Sequence, residues 1–154
     1  MSGGKSPVLL RKADGVAHVV LDRAEARNAL NLPMCLALKD IFEALDSDPD
    51  IRAVVLSANG PVFCAGADLK ERNGRDMAWV IARRRASFAA YDTIARCRKP
   101  VVAATQGPVV GSGGEWSSSS TAVAAPRTNT LSMKRMLAAR WPYGLLPSSP
   151  ALPP

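Results

Sequence analysis

The chain has 154 residues, enough for one domain whose core would take roughly 68–70% of the extended chain's surface out of water. Hydrophobic residues make up 47% and charged residues 21%, which excludes a wholly disordered chain, and no apolar run approaches the roughly 18–20 residues of a membrane span. The net charge of +7 favours an anionic partner, whether nucleic acid, a membrane surface or a phosphate-bearing ligand, without choosing among them.

The start, Met1-Ser2-Gly3-Gly4-Lys5-Ser6-Pro7, has neither an apolar signal core nor an Arg-rich amphipathic pattern, so a cytoplasmic protein is the expectation. Residues 8–12 and 16–22 are Val- and Leu-rich runs flanking Asp14-Gly15, a tight-turn dipeptide, and together they predict a β-hairpin. Leu21-Asp22-Arg23 leads into a polar loop, Ala26-Arg27-Asn28-Ala29-Leu30-Asn31, which alone reads as a solvated connection capped by Asn28 or Asn31. From Pro33 to about Asp46, the residues Met34, Leu38, Ile41, Phe42 and Leu45 fall on one helical face. Asp46, Asp48 and Asp50 lack the glycine and distal glutamate of a calcium loop and read as a solvated turn.

Arg52–Ala58 predicts a buried strand ending at Asn59-Gly60-Pro61, and Val62-Phe63-Cys64 then enters a second short run. A long helix is expected to start near Asp76, with Met77, Val80, Ile81, Phe88, Tyr91, Ile94 and Ala95 as its apolar stripe. Arg83-Arg84-Arg85 interrupts it; three successive residues span about 200° of helix, so one arginine must lie near the apolar seam. No RNA-binding motif or aromatic platform accompanies the run, which reads as a solvated or subunit-contacting face. Lys99-Pro100 ends the helix before the strand Val101–Ala104. Cys35, Cys64 and Cys97 match no metal-ligand spacing and read as buried free thiols, and His18, with no nucleophile motif near it, reads as structural.

Two stretches carry chemistry: Val62–Lys70, containing Cys64-Ala65-Gly66-Ala67-Asp68-Leu69, and Gln106–Glu115, containing Gly111-Ser112-Gly113-Gly114-Glu115. Each predicts a strand running into a glycine-softened turn that opens a helix. Such turns leave backbone N–H groups free at a positive helix end, and two facing turns would form an oxyanion hole. In Ala65-Gly66-Ala67 no side chain exceeds a methyl group, so a ligand can come close to the backbone.

Phe-Cys-Ala-Gly-Ala-Asp-Leu followed by Gly-x-x-x-Gly-x-Gly-Gly-Glu, with the upstream Arg27-Asn28-Ala29 segment, resembles the crotonase (enoyl-CoA hydratase/isomerase) superfamily over roughly residues 7–115. The resemblance implies an α/β fold with a crotonase-like ββα spiral core. It implies that an acyl-CoA thioester binds as substrate, coenzyme A being part of the substrate and no separate cofactor or metal being needed. The oxyanion donors would be the amides of Ala67 and Ser112, and Glu115 would fall on one of the two hydratase glutamates. Arg27, Ala29, Ala65, Gly66, Ala67, Asp68, Leu69 and Gly111 would line the coenzyme A site. The family's trimers and hexamers imply a homo-oligomer.

After Glu115 the character changes. Residues 1–115 carry 16 basic and 13 acidic side chains, whereas residues 116–154 carry 4 basic, none acidic, and six of the twelve prolines. Residues 116–154 therefore read as a poorly ordered Ser/Pro-rich basic tail, with a short basic helix at Met133–Trp141, attached to a truncated family domain. The abrupt switch points to a shifted reading frame or aberrant splice. The position of the second glutamate, about twenty residues past Glu115, is Arg135. Three readings stay open: an enoyl-CoA hydratase, an inactive CoA-binding or interaction module, and a basic RNA-associated protein.

Overall fold

The computed structural model describes residues 6–111 and the strand 122–124. Val8–Ala13 (β1) and Val16–Leu21 (β2) form the expected hairpin, turning at Asp14 and Gly15, both at positive φ. The chain then crosses through helix α1 (Leu32–Ser47) to β3 (Ala53–Ala58) and through helix α2 (Met77–Ala95) to β4 (Val101–Ala104). β5 (Ala122–Ala124) completes a sheet of order β1-β2-β3-β4-β5. Only the β1–β2 pair is antiparallel; β2, β3, β4 and β5 run parallel. Two helical crossovers between parallel strands make this an α/β protein, as the resemblance implies.

Local chemistry explains where the helices begin. Asn31 Oδ1 accepts from Met34 N at 3.0 Å and Pro33 sits in the first turn of α1; Asp76 Oδ1 accepts from Trp79 N at 2.8 Å at the start of α2. The core lies between the sheet face carrying Ala17, Val19, Leu21, Val54, Leu56 and Val101 and the helical face of Met34, Leu38, Phe42 and Leu45, all buried. Among the described residues no helix is long and apolar enough to cross a membrane.

The structure departs from the sequence expectations at several points. α2 buries Arg83, Ser87, Ala90, Tyr91 and Ile94, while Met77, Ile81 and Phe88 are exposed, so its inward face is rotated from the expected apolar stripe. The arginine run is therefore not uniformly solvated: Arg83 is buried, and Arg84 stacks over Phe88. Val62-Phe63-Cys64 forms no strand, only an isolated bridge at Cys64. Val62–Lys70 opens no α-helix either: a 3-10 turn, Lys70–Arg72, is all that follows before Gly74, at φ +71°, redirects the chain. Asp46 and Asp48 do more than cap a solvated turn, since they bond Arg98 and Lys12 and tie α1 to β1 and to the connection leading into β4. β5 lies inside the segment that composition reads as tail; Ala122-Val123-Ala124 is an apolar patch between the serine run and Pro126. The Met133–Trp141 helix lies outside the described residues.

Candidate functional site

Three loop segments far apart in sequence lie side by side. Ala24–Ala26 forms a 3-10 turn, after which Arg27 and Asn28 adopt consecutive left-handed conformations, φ +53° and +51°. Asn28 is fully buried, and its side chain fixes this bend: Oδ1 accepts from Arg23 N, and Nδ2 donates to the carbonyls of Asn59 and Val62, all at 2.8 Å. The following residues then pair with the first glycine turn. Ala65 N donates to Arg27 O at 3.1 Å, Leu30 N to Gly66 O at 2.8 Å, and Asp68 N to Leu30 O at 2.8 Å, giving a parallel bridge between Leu30 and Ala67.

On its other side the same turn pairs with the second motif. Val110 N donates to Cys64 O at 3.0 Å and Cys64 N to Pro108 O at 3.5 Å, a second parallel bridge, Cys64 with Val109. Gly107 lets the backbones approach, since a Cβ there would sit only 2.1 Å from Pro61 O; Gly111, at φ +52°, lies beside Gly66, where a Cβ would be in ordinary contact at 3.9 Å from its Cα. Gln106 anchors the second turn by donating its Nε2 to the carbonyls of Ala58 and Gly60.

The orientation of one peptide follows from this pairing. Gly66 C=O points at Leu30, and the peptide is trans, so the Ala67 N–H points the opposite way. No described residue accepts from it. Among the described residues this backbone donor therefore has no acceptor, and its neighbours in the turn are a methyl side chain and a glycine.

Two buried or half-buried ion pairs frame the turn. Arg23 Nη1 donates to Ala29 O at 2.7 Å while the guanidinium contacts Asp68 Oδ2 at 3.0 Å; Arg83 bonds Glu71, Ser87 Oγ and Leu30 O. Asp68 is thus engaged internally, its Oδ1 also accepting from Lys70 N at 3.0 Å. The Cys64 thiol, at the centre of the bridged segments, is pushed up to about 11 by burial, and burial likewise raises Cys35, so neither offers a thiolate at neutral pH. Among the described residues no cluster of three or more His, Cys, Asp or Glu could hold a metal ion. His18 is exposed on β2, opposite Arg11 and Val55, away from the site.

Of the expected site residues, the structure brings Arg27, Ala29, Ala65, Gly66, Ala67, Asp68 and Gly111 together, with Arg27 exposed and Leu69, 66% exposed, beside them. Ser112 and Glu115 lie outside the described residues. Arg23, Asn28, Glu71 and Arg83 hold the turn in place; from the sequence Asn28 reads only as a loop cap and Arg83 only as one of three arginines near a helical seam. The signal for Arg83 is the arginine run itself, three successive residues of which one must lie near the apolar seam; Arg23 and Glu71 have no signal in the sequence.

Helical crossovers between the parallel strands of a mixed sheet, with two glycine turns bridged to each other, define an α/β fold. The chain belongs to the enoyl-CoA hydratase/isomerase family, whose model matches residues 11–139. It is 40% identical over 101 residues to enoyl-CoA hydratase AFT3-1 of Alternaria alternata, covering 66% of this chain and 34% of that protein. It is 30% identical over 127 residues to a peroxisomal Delta(3,5)-Delta(2,4)-dienoyl-CoA isomerase of Arabidopsis thaliana, covering 73% and 46%. Among solved structures, Pseudomonas aeruginosa PA4980 superposes with a TM-score of 0.74 at 36% identity, covering 78% of this chain and 52% of that one. An enoyl-CoA hydratase from Bacillus anthracis gives 0.74 at 29% identity, covering 77% and 47%. The chain thus spans about a third to a half of the length of the relatives it matches, and the family match runs past Glu115 to residue 139.

Proposed function

We propose that the chain binds an acyl-CoA thioester with its carbonyl oxygen at the Ala67 N–H, the second donor being the Ser112 amide, so that negative charge developing on that oxygen is stabilised. The observation that supports this most directly is the Ala67 N–H, directed away from Leu30 and accepted by no described residue, in a turn whose residues 65–67 carry nothing larger than a methyl group. A fixed donor aimed where charge develops favours the transition state over the ground state, and such a donor is typically worth about 2.7–4 kcal/mol. The coenzyme A portion would lie along Arg27, Ala29, Ala65, Gly66, Leu69 and Gly111. The Asp68 carboxylate, ion-paired with Arg23, serves the turn rather than the ligand.

In the hydration reading, Glu115 deprotonates the water that adds across the double bond of a 2-enoyl-CoA, and the enolate forms against the two amides. The test is hydration of crotonyl-CoA, with turnover lost in Glu115→Gln while binding is kept. A second reading has one specific observation in its favour: about twenty residues past Glu115, where the second glutamate that exchanges the proton at the α-carbon is expected, the sequence has Arg135. It makes the chain a CoA-binding module without turnover. Saturable binding of crotonyl-CoA with no hydration would establish it, and turnover would remove it. In either reading the chain is expected to be cytoplasmic.

A further inference from the structure

Arg83 is an unusual residue to bury. Its side chain is 3% exposed in the middle of α2, and a buried ion pair is often no more stabilising than an apolar pair of the same volume, so stability alone does not account for it. Its bonds have a direction that does. Nε meets Glu71 Oε1, Nη1 meets Ser87 Oγ one helical turn on, and Nη2 meets the carbonyl of Leu30. Glu71 in turn uses Oε2 to accept from Leu32 N at 2.8 Å, at the start of α1. The pair therefore grips the 30–32 backbone at two points, from a helix and from the segment that follows the turn.

Leu30 is the residue that sets the donor peptide. Its N–H holds Gly66 C=O, and its C=O, which Arg83 also contacts, accepts from Asp68 N. The plane of the Gly66–Ala67 peptide is thus fixed by one hydrogen bond to a residue that Arg83 holds. We propose that Arg83, oriented by Glu71, is a positioning residue for the Ala67 N–H: it keeps Leu30 in register with the turn, and through Leu30 aims the donor. The proposal rests on the reading of Ala67 as the donor to a thioester carbonyl.

The test uses the full chain as Arg83→Lys and Ser87→Ala. Lysine keeps the charge opposite Glu71 but has no planar fork to reach Glu71 and Leu30 O together; Ser87→Ala removes the contacts to Arg83 within α2 and the Oγ–Sγ contact to Cys35 of α1, and leaves the Arg83 bonds to Glu71 and Leu30 O in place. Amide hydrogen exchange followed by NMR is expected to speed up about tenfold at Leu30 and Asp68 in Arg83→Lys, relative to amides of β2 and β3, and to stay unchanged there in Ser87→Ala. A uniform rise across the sheet, or no change at Leu30 and Asp68, overturns the proposal. Should Arg83→Lys fail to fold, Glu71→Gln, which keeps an acceptor and drops the charge, must show the same local pattern.

The second readout is the affinity ratio of S-butyryl-CoA to S-butyl-CoA, which differ in the thioester carbonyl. Wild type is expected to prefer the thioester at least tenfold and Arg83→Lys to lose most of that preference with S-butyl-CoA affinity unchanged. A wild-type ratio near one removes the donor reading and the proposal together. A wild-type preference retained in Arg83→Lys removes the positioning role alone.

Discussion

Asn28 satisfies three backbone groups with one side chain while its own backbone is left-handed, a conformation asparagine tolerates better than most residues. Alanine there would leave Arg23 N and the carbonyls of Asn59 and Val62 without partners in a buried site. Asn28→Ala is expected to lower stability by about 3 kcal/mol, since each stranded buried group costs about 1–3 kcal/mol and the three losses overlap. Urea unfolding would show it as a lower midpoint at unchanged slope, and a loss under about 1 kcal/mol would refute the argument. Cys64 gives a pH dependence. Burial raises its folded-state value from 9.0 to about 11, so the protonated thiol is favoured by the fold. That contribution is fully present below pH 9 and is lost as pH rises toward about 11. The loss is on the order of 2–3 kcal/mol across the window, and Cys64→Ala should flatten the stability–pH curve by that amount, Cys35 and Cys97 keeping their own shares. The burial of Cys64 is legible in the sequence, which reads it as a buried free thiol, whereas the Asn28 network is not. Asn28 read as a loop cap because its partners lie 31 and 34 residues away, whereas Asn31, whose partner is three residues on, was read correctly as a candidate cap.

The second turn depends on one close approach. Gly107 has φ +62°, and a Cβ there would meet Pro61 O at 2.1 Å, backbone that cannot move without dragging the carbonyls that Gln106 holds. Gly107→Ala is expected to displace the turn, weaken the Cys64–Val109 bridge, and reduce both stability, by about 2 kcal/mol, and the preference for thioester over thioether. Gly74→Ala is the comparison: φ is +71° but nothing lies within 4 Å, so it should cost about 1 kcal/mol of backbone strain and leave the preference intact. Equal effects of the two would show that strain, not the approach to Pro61, is what matters. Elements whose signals are local could be read from the chain: the Asp14-Gly15 hairpin, α1 with Pro33 in its first turn, the start of α2 near Asp76 and β4 after Lys99-Pro100. The face of α2 could be read only at Tyr91 and Ile94, which are buried as expected; elsewhere its buried side is built on an Arg83–Glu71–Ser87 network while Met77, Ile81 and Phe88 point outward. Hydrophobic periodicity has no means of finding a seam held by a polar cluster.

At the scale of the whole molecule, charge and donor geometry act over different distances. The sequence carries +7, but among the described residues Lys12, Lys39, Arg23, Arg83, Arg96 and Arg98 are each paired with a carboxylate. Arg75 covers the ring of Trp79 at 5.1 Å and Arg84 that of Phe88 at 5.5 Å, so these two aromatic faces are already occupied and do not stand free for stacking on nucleic acid bases. What remains is a diffuse positive field, which attracts a polyanion and is screened by salt. Raising the salt from 0.1 M to 1 M shortens the Debye length from about 10 Å to about 3 Å, so affinity for free coenzyme A should fall over that range. The ratio of S-butyryl-CoA to S-butyl-CoA affinity should not change, because it reports a single uncharged backbone donor acting at contact distance, its peptide held by Leu30. Calorimetric titration of the three ligands at both salt concentrations checks this. A ratio that decays in step with coenzyme A affinity would mean that the discrimination comes from the general field and not from the Ala67 turn. A single-stranded RNA binding more tightly than coenzyme A at 0.1 M, with log affinity falling by about 0.7 per phosphate contact for each tenfold rise in salt, would assign that field to nucleic acid instead.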